Sequence, residues 1–300
     1  MTDEDYLETA HAEGYLPIDE YELYYRRFGT GDDVVLGLHG GPGMPHDYLL
    51  PLSRHGGSER RVVLYDQFGV GRSDGPVPGD FDRYTVEHYR DEVEAIRREL
   101  EPENFHVYGQ SWGGMLALEY ALEYGDRLSS LVLANTLADT ASAYESMRSH
   151  VEALAEDDLE IVERCEGRRA YDDPAYLDVL DDVYRSHVCR LEEYPDPVRR
   201  TLSNVNEDVY GLMWGPNEYV LLETARLRGW DVRDRLGEID VPTLVLTGAH
   251  DEIDPSIGAD IADRIPDATL VEFEESSHMP LWEEPEAHTE RVERFLAEGR

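Results

Sequence analysis

Two hydrophobic periods alternate along this chain. Short, nearly uninterrupted apolar runs occupy 33–38, 61–65, 105–108, 131–134, 241–247 and 268–273, and 21–28 is strand-like as well. Runs of that length, rich in Val and Leu and closed by turn residues, predict strands buried on both faces. Between them the period lengthens. Across 85–101, Val86, Tyr89, Val93, Ile96 and Leu100 form one stripe at helical spacing. Thr85 stands where an N-cap belongs, and Glu101-Pro102 where a helix stops. Further helices are predicted at 112–124 and 286–297. Alternation of strand and helix implies a mostly parallel sheet with helices on both faces. From about 135 to about 236 the strand signals fade, and they resume at 241–247. That block reads as a helical cap inserted between late strands, a lid over the C-terminal edge of the sheet. On this reading 1–136 and 237–300 make an α/β core and 137–236 a cap domain.

Composition narrows the chemistry. Asp and Glu number 66 against 27 Lys and Arg, a net charge of −39, about one excess negative charge for every eight residues. A surface of that sign repels nucleic acid and anionic membranes, so neither is expected as a partner. No stretch approaches the ~18 apolar residues of a transmembrane helix. The N-terminal Met1-Thr2-Asp3-Glu4-Asp5 lacks the apolar segment of a signal peptide, so the expected compartment is the cytoplasm. Lysine is missing altogether; all 27 basic residues are arginine. That excludes the P-loop, Schiff-base and pyridoxal-phosphate enzymes, and the Ser-x-x-Lys hydrolases. The acids are dispersed, the apolar segments are periodic and 19 tyrosines are present, which argues for a folded chain with an acidic surface. Such a carboxylate-rich, lysine-free surface resembles those of proteins from organisms with molar internal salt, where a Debye length of ~3 Å screens self-repulsion. Cys165 and Cys189 form neither a metal-spaced set nor a disulfide framework, and no metal or cofactor is expected.

A serine attacks a carbonyl only when a base takes its proton and donors hold the oxyanion. The pattern G-x-S-x-G occurs twice, as Gly71-Arg72-Ser73-Asp74-Gly75 and as Gly109-Gln110-Ser111-Trp112-Gly113. Chance alone gives about 0.1 such match in this composition, so the surroundings decide. Ser73 is followed by Gly75-Pro76-Val77-Pro78, which cannot open a helix. Ser111 follows the apolar run 105–108 and precedes Met115-Leu116-Ala117-Leu118. That is the strand–turn–helix setting of the nucleophile elbow in α/β-hydrolases. Ser111 is the expected nucleophile, with a helix-capping serine as the plain alternative, and Ser73 is expected to stabilise a turn.

In that arrangement the chain order is serine, acid, histidine. Asp251 lies just past 241–247 and is the expected orienting acid; Asp254, before Pro255, is expected to start the next helix. His278 lies past the last strand and is the expected base, whereas His250 precedes the acid and has the wrong order. The oxyanion hole needs a backbone N–H from the residue after the nucleophile and one from a loop after an early strand. Those are Trp112 and Gly41, the latter in His39-Gly40-Gly41-Pro42-Gly43.

Four motifs taken together resemble the proline iminopeptidase family of α/β-hydrolases. They are His39-Gly40-Gly41-Pro42-Gly43, Asp66-Gln67-Phe68-Gly69 with Gly71-Arg72-Ser73, Gly109-Gln110-Ser111-Trp112-Gly113-Gly114, and Gly215-Pro216-Asn217-Glu218. The likeness is greatest to the archaeal tricorn-interacting aminopeptidase branch and spans nearly the whole chain. It implies an α/β-hydrolase fold and release of an N-terminal residue, often proline, from short peptides. Such peptides are the products of a proteasome-like or tricorn-like protease. Acidic side chains hold the substrate amine in this family, and they match Glu218 in the insertion and Glu252 beside the catalytic acid. Trp112 departs from the tyrosine found in many members, which reshapes the first substrate pocket and bears on proline preference. An esterase or lactonase would use the same triad without needing Glu218 and Glu252. A non-catalytic binding protein on this fold usually lacks a triad member, and none is missing here. An epoxide hydrolase or dehalogenase would carry Asp at position 111.

The charge excess gives a first testable expectation. Helicity and activity should be lost below a few hundred millimolar salt, where the Debye length rises past about 5–6 Å. Circular dichroism and turnover measured against salt concentration check this, and full stability in dilute buffer would defeat the high-salt reading.

Overall fold

A computed structural model describes residues 10–76 and 81–298; the N-terminal segment 1–5 and Val77 and Pro78, considered above, lie outside them. Eight strands form one sheet: β1 (Ala12–Ile18), β2 (Tyr21–Phe28), β3 (Asp33–Leu38), β4 (Arg60–Tyr65), β5 (Phe105–Gln110), β6 (Ser130–Ala134), β7 (Thr243–Gly248) and β8 (Ala268–Phe273). Their spatial order is β1-β2-β4-β3-β5-β6-β7-β8. The pairs β1–β2 and β2–β4 are antiparallel, and every pair from β4 to β8 is parallel. The apolar pattern had not revealed β1. It carries Gly14 and Pro17 and sits at the sheet edge, where a missing ladder donor is tolerated.

Ten α-helices complete the described residues: α1 (Val86–Leu100), α2 (Trp112–Tyr124), α3 (Thr140–Glu152), α4 (Glu156–Arg168), α5 (Pro174–His187), α6 (Asp196–Ser203), α7 (Glu207–Met213), α8 (Pro255–Arg264), α9 (Pro280–Glu283) and α10 (Pro285–Glu298). The Thr85 hydroxyl caps α1 by accepting from His88 N–H at 3.2 Å, and Glu101 closes it in the left-handed region at φ 43°. Tyr89, Val93 and Ile96 of the predicted stripe are buried against the sheet. Within β4, Val63 and Tyr65 point to the side covered by α1 and α2. Val62 and Leu64 point to the other side, covered by a 3-10 helix at His46–His55 and by α10. Both faces of β3 to β7 are therefore buried, as runs without polar alternation require; β8 departs from that expectation, because it lies at the sheet edge with Thr269, Leu270 and Glu272 exposed.

Between β6 and β7, which are neighbours in the sheet, the chain makes α3 to α7. The two ends of this insertion are fastened to each other: Thr140 N–H donates to the Trp230 carbonyl at 3.0 Å, and Val232 N–H to the Ala138 carbonyl at 2.9 Å. Cys165 and Cys189 are both buried and unpaired. Among the described residues no helix is long and apolar enough to cross a membrane.

The start of α2 lies hard against the end of β3. A Cβ on Gly113 would stand 2.0 Å from the Leu38 carbonyl oxygen, so only glycine fits without a backbone shift. Gly113→Ala should lower stability by about 1–3 kcal/mol, the usual range for overpacking. Gly211, inside α7 with open space around its Cα, should behave in the opposite sense, gaining about 0.4–1 kcal/mol on replacement by Ala. Chemical unfolding at fixed salt measures both.

Candidate active site

Strand β5 hands over to α2 at Ser111, whose backbone sits at φ 56° and ψ −122°. A non-glycine residue there stores on the order of 1–3 kcal/mol of strain and persists only where its surroundings fix it. They do: Ser111 N–H donates to the Ala134 carbonyl at 3.0 Å, and the Ser111 carbonyl accepts from the Thr136 hydroxyl at 2.7 Å and from Gly114 N–H at 2.8 Å. The side chain makes no capping hydrogen bond to α2, so the helix-cap alternative finds no support in the geometry. Ser111 is half-buried and Trp112 fully buried at the first turn of α2. Ser73, by contrast, is committed to structure: its hydroxyl donates to the Asp66 carbonyl and accepts from Tyr24 N–H.

Asp251 and His278, the expected acid and base, lie in the two loops after β7 and β8. Asp251 Oδ1 lies 2.7 Å from His278 Nδ1, both residues being buried. The same carboxylate accepts from Ile253 N–H at 3.0 Å through Oδ1 and from the Asn135 amide at 2.7 Å through Oδ2. Burial disfavours an imidazolium at His278, but the carboxylates of Asp251, Glu252 and Glu218 outweigh it and raise the pKa. Asp254 caps α8 through Ser256 N–H, and His250 is exposed, with its carbonyl accepting from His187. Both stand outside the constellation.

The glycine loop after β3 reaches the nucleophile turn. A Cβ on Gly40 would stand 2.9 Å from Ser111 Cβ, so the loop can approach only without a side chain there. Gly41 comes next at φ 44° and is half-buried. A relay of hydrogen bonds sets this loop: Gly40 N–H donates to the Tyr48 hydroxyl, the hydroxyl donates to Gln110 Oε1, and Gln110 Nε2 donates to the His278 carbonyl. Gln67 braces it from the other side, accepting from the Trp112 indole N–H at 2.9 Å and donating to the His39 carbonyl at 3.1 Å. His39 is buried and pushed down to about 4, so its ring is neutral, with Nε2 accepting from Gln67 N–H.

Glu252 is buried beside the base, its Oε1 4.0 Å from His278 Nε2. Its Oε2 is buried and accepts no hydrogen bond from the described residues, and the buried Tyr219 hydroxyl beside it is likewise unbonded. Glu218 enters from the insertion, in the turn held by the Asn217–Val220 bridge, and accepts from the Tyr184 hydroxyl. Burial and these two carboxylates raise the Tyr184, Tyr210 and Tyr219 phenols well above their ordinary value, so they remain neutral.

Gln67, Tyr48, Asn135 and Tyr184 escaped the sequence reading. Gln67 lies inside Asp66-Gln67-Phe68-Gly69, and Asn135 at the point where the strand pattern breaks. Neither position alone discloses a partner more than forty residues away.

A short match to a motif can arise by chance; a match over the fold cannot. A family model described as alpha/beta hydrolase fold covers residues 33–285, and the sheet order and strand–turn–helix at Ser111 are those of that class. The proline iminopeptidase of Saccharolobus solfataricus is 37% identical over 289 residues, 95% of this chain and 92% of that protein. The crystal structure of a proline iminopeptidase from Mycobacterium smegmatis superposes with a TM-score of 0.87 at 30% identity, covering 96% of this chain and 98% of that one. The crystal structure of VinJ gives 0.91 at 34% identity, covering 97% and 100%. The chain belongs to the proline iminopeptidase family of α/β-hydrolases and is a hydrolase.

Asn135 offers a test of how the acid is held. Asn135→Gly keeps the left-handed backbone, φ 50°, accessible and removes the donor to Asp251. A hydrogen bond to a charged group contributes about 1.5–3 kcal/mol, so stability should fall by that amount. Asn135→Asp should cost more, since it sets a second carboxylate against Asp251. Unfolding midpoints of the two variants check the order.

Proposed function

We propose that this chain is a serine aminopeptidase that releases N-terminal residues, proline by preference, from short peptides through an acyl-enzyme. Ser111 Oγ attacks the carbonyl of the first residue while His278 Nε2 takes the hydroxyl proton. Asp251 holds the other ring nitrogen, fixing the tautomer and stabilising the imidazolium as it forms. The oxyanion is held by the backbone N–H groups of Gly41 and Trp112. His278 then gives the proton to the departing peptide amine. Water, deprotonated by the same base, attacks the acyl-enzyme, and Ser111 recovers its proton as the free residue leaves.

The observation that carries this reading is the pair of acids on the His278 side of the site. A buried carboxylate with an unsatisfied oxygen is costly unless a cation completes it. Glu252 is such a group, and Glu218 approaches it from the insertion with neutral phenols around both. An ester or lactone has no positive charge to offer them; a substrate ammonium has. We assign Glu218 and Glu252 to that ammonium, 137–236 to a cap domain over the site, and the working compartment to a cytoplasm of high salt. Peptides of the size a proteasome-like or tricorn-like protease releases are the intended substrates.

Glu218→Gln and Glu252→Gln keep shape and remove charge. Each should lower kcat/KM for substrates with a free N-terminus by roughly 10- to 150-fold, the loss of one charge-assisted hydrogen bond. The preference for free-amine over N-acylated aminoacyl amides should fall in both, whereas Ser111→Ala should abolish turnover of either kind. Unchanged kcat/KM in both glutamine variants would move the esterase reading ahead.

A further inference from the structure

The nitrogen of His278 that has to accept the serine proton does not face an empty space. Glu252 Oε1 lies 4.0 Å from Nε2, while Asp251 occupies Nδ1 at 2.7 Å. In the unliganded site the imidazole is thus bracketed by carboxylates at both nitrogens. Glu252 itself has one oxygen turned to no partner, in a fully buried setting.

We propose that the substrate's ammonium is also the switch for the base: by pairing with Glu252 and Glu218 it neutralises the carboxylate facing Nε2 and frees His278 to take the serine proton. This rests on the assignment of those two acids to the substrate amine and extends it from binding to catalysis. The physical cause is the strength of charge interactions at about 4 Å in a site that excludes water. Without a cation, Glu252 and Asp251 favour the imidazolium, and a protonated His278 cannot act as a base. One excess proton is then held between His278 and Glu252. When an ammonium takes its place beside Glu252, that proton leaves to solvent, and Nε2 is left with its lone pair directed to the site. No further reactant is needed. A substrate without an amine leaves the proton where it was.

The surrounding groups agree. From the loop after β7 the charges on His278 are Asp251 and Glu252, and from the insertion Glu218. All three favour the imidazolium and outweigh its burial. Glu252 is in turn raised by its burial and by the neighbouring Glu218 and Asp251, against the pull of His278. Tyr184, Tyr210 and Tyr219 of the insertion are held neutral and add no charge. His150 of α3 and His187 of α5 also feel Asp251, but burial lowers both. On its own loop His278 is flanked by Ser277 and Met279, whose N–H groups donate to Glu283.

The acid limb of kcat/KM reports the free enzyme and that of kcat the enzyme–substrate complex. With a proline amide carrying a free amine, the wild-type kcat limb should lie at least one pH unit below the kcat/KM limb. With p-nitrophenyl acetate, which has no amine, the two limbs should coincide at the higher value. Glu252→Gln should bring the ester limb down by a similar amount. Coincident limbs for the proline amide in the wild type would overturn the proposal, even if Glu252→Gln still lost its preference for free amines and the amine assignment stood. An unmoved ester limb in Glu252→Gln would overturn it as well. If the limbs separate as expected but N-acylated and free amides are turned over alike, the amine assignment fails, and the switch fails with it.

Discussion

Asp251 is the junction on which the site depends. Its carboxylate is buried, and it accepts from three directions at once: the imidazole of His278, the amide of Asn135 and the backbone N–H of Ile253. Those donors belong to the loop after β8, the end of β6 and the turn after β7. One buried carboxylate therefore fixes the relative positions of three segments that are far apart in the chain. A buried charge is tolerable only when its lone pairs are occupied, and the same requirement that makes Asp251 tolerable makes the arrangement specific.

The nucleophile side is organised differently. There the fixing agents are backbone contact and neutral side-chain amides. Gly113 lets α2 press on β3, Gly40 lets the glycine loop meet Ser111, and Gln110 and Gln67 connect that loop to the base loop and to Trp112. A strained turn at Ser111 can persist because each of its backbone groups has a partner. The two halves meet where Gln110 touches the His278 carbonyl, so the relay runs from Gly40 to His278 through the buried Tyr48 and Gln110.

Excess charge is handled by segregation. Most of the 66 acids meet solvent, but a few are buried and each has its own solution. At Asp66 burial favours the neutral acid, yet the nearby His46 and the backbone N–H groups of His46 and Arg72 hold its pKa well below the ordinary value. Burial instead pushes Glu92 up to about 8, where it accepts from Phe68 N–H. Glu252 is raised by burial in the same way, but its Oε2 accepts from no backbone N–H. Its backbone is tied from two sides of the insertion, with Ser146 donating to its carbonyl at 3.0 Å and its own N–H donating to the His187 carbonyl at 3.1 Å. These ties from the insertion hold Glu252 where its Oε1 lies 4.0 Å from His278 Nε2.

Much of this was legible from the residues. Local patterns located seven of the eight strands: β3 to β7, buried on both faces, read as continuous hydrophobic segments, and β2 and β8 were recognisable though partly exposed, while β1, interrupted by Gly14 and Pro17 at an edge, was not. The elbow at Ser111 could be told from its decoy at Ser73 by the residues C-terminal to each serine, and the chain order of acid and base came from the fold class. The pairings were not legible. Nothing in the local sequence distinguishes Asn135 or Gln67 from any other amide, and Glu252 stands out among the 66 acids only through the family likeness, which does not say which nitrogen of His278 it faces. Sequence determines what a segment becomes through short-range sterics and periodicity. Which carboxylate is ionised, which is left without a partner and which nitrogen it faces depend on distance and burial, and those exist only once the strands, their loops and the insertion have been brought together.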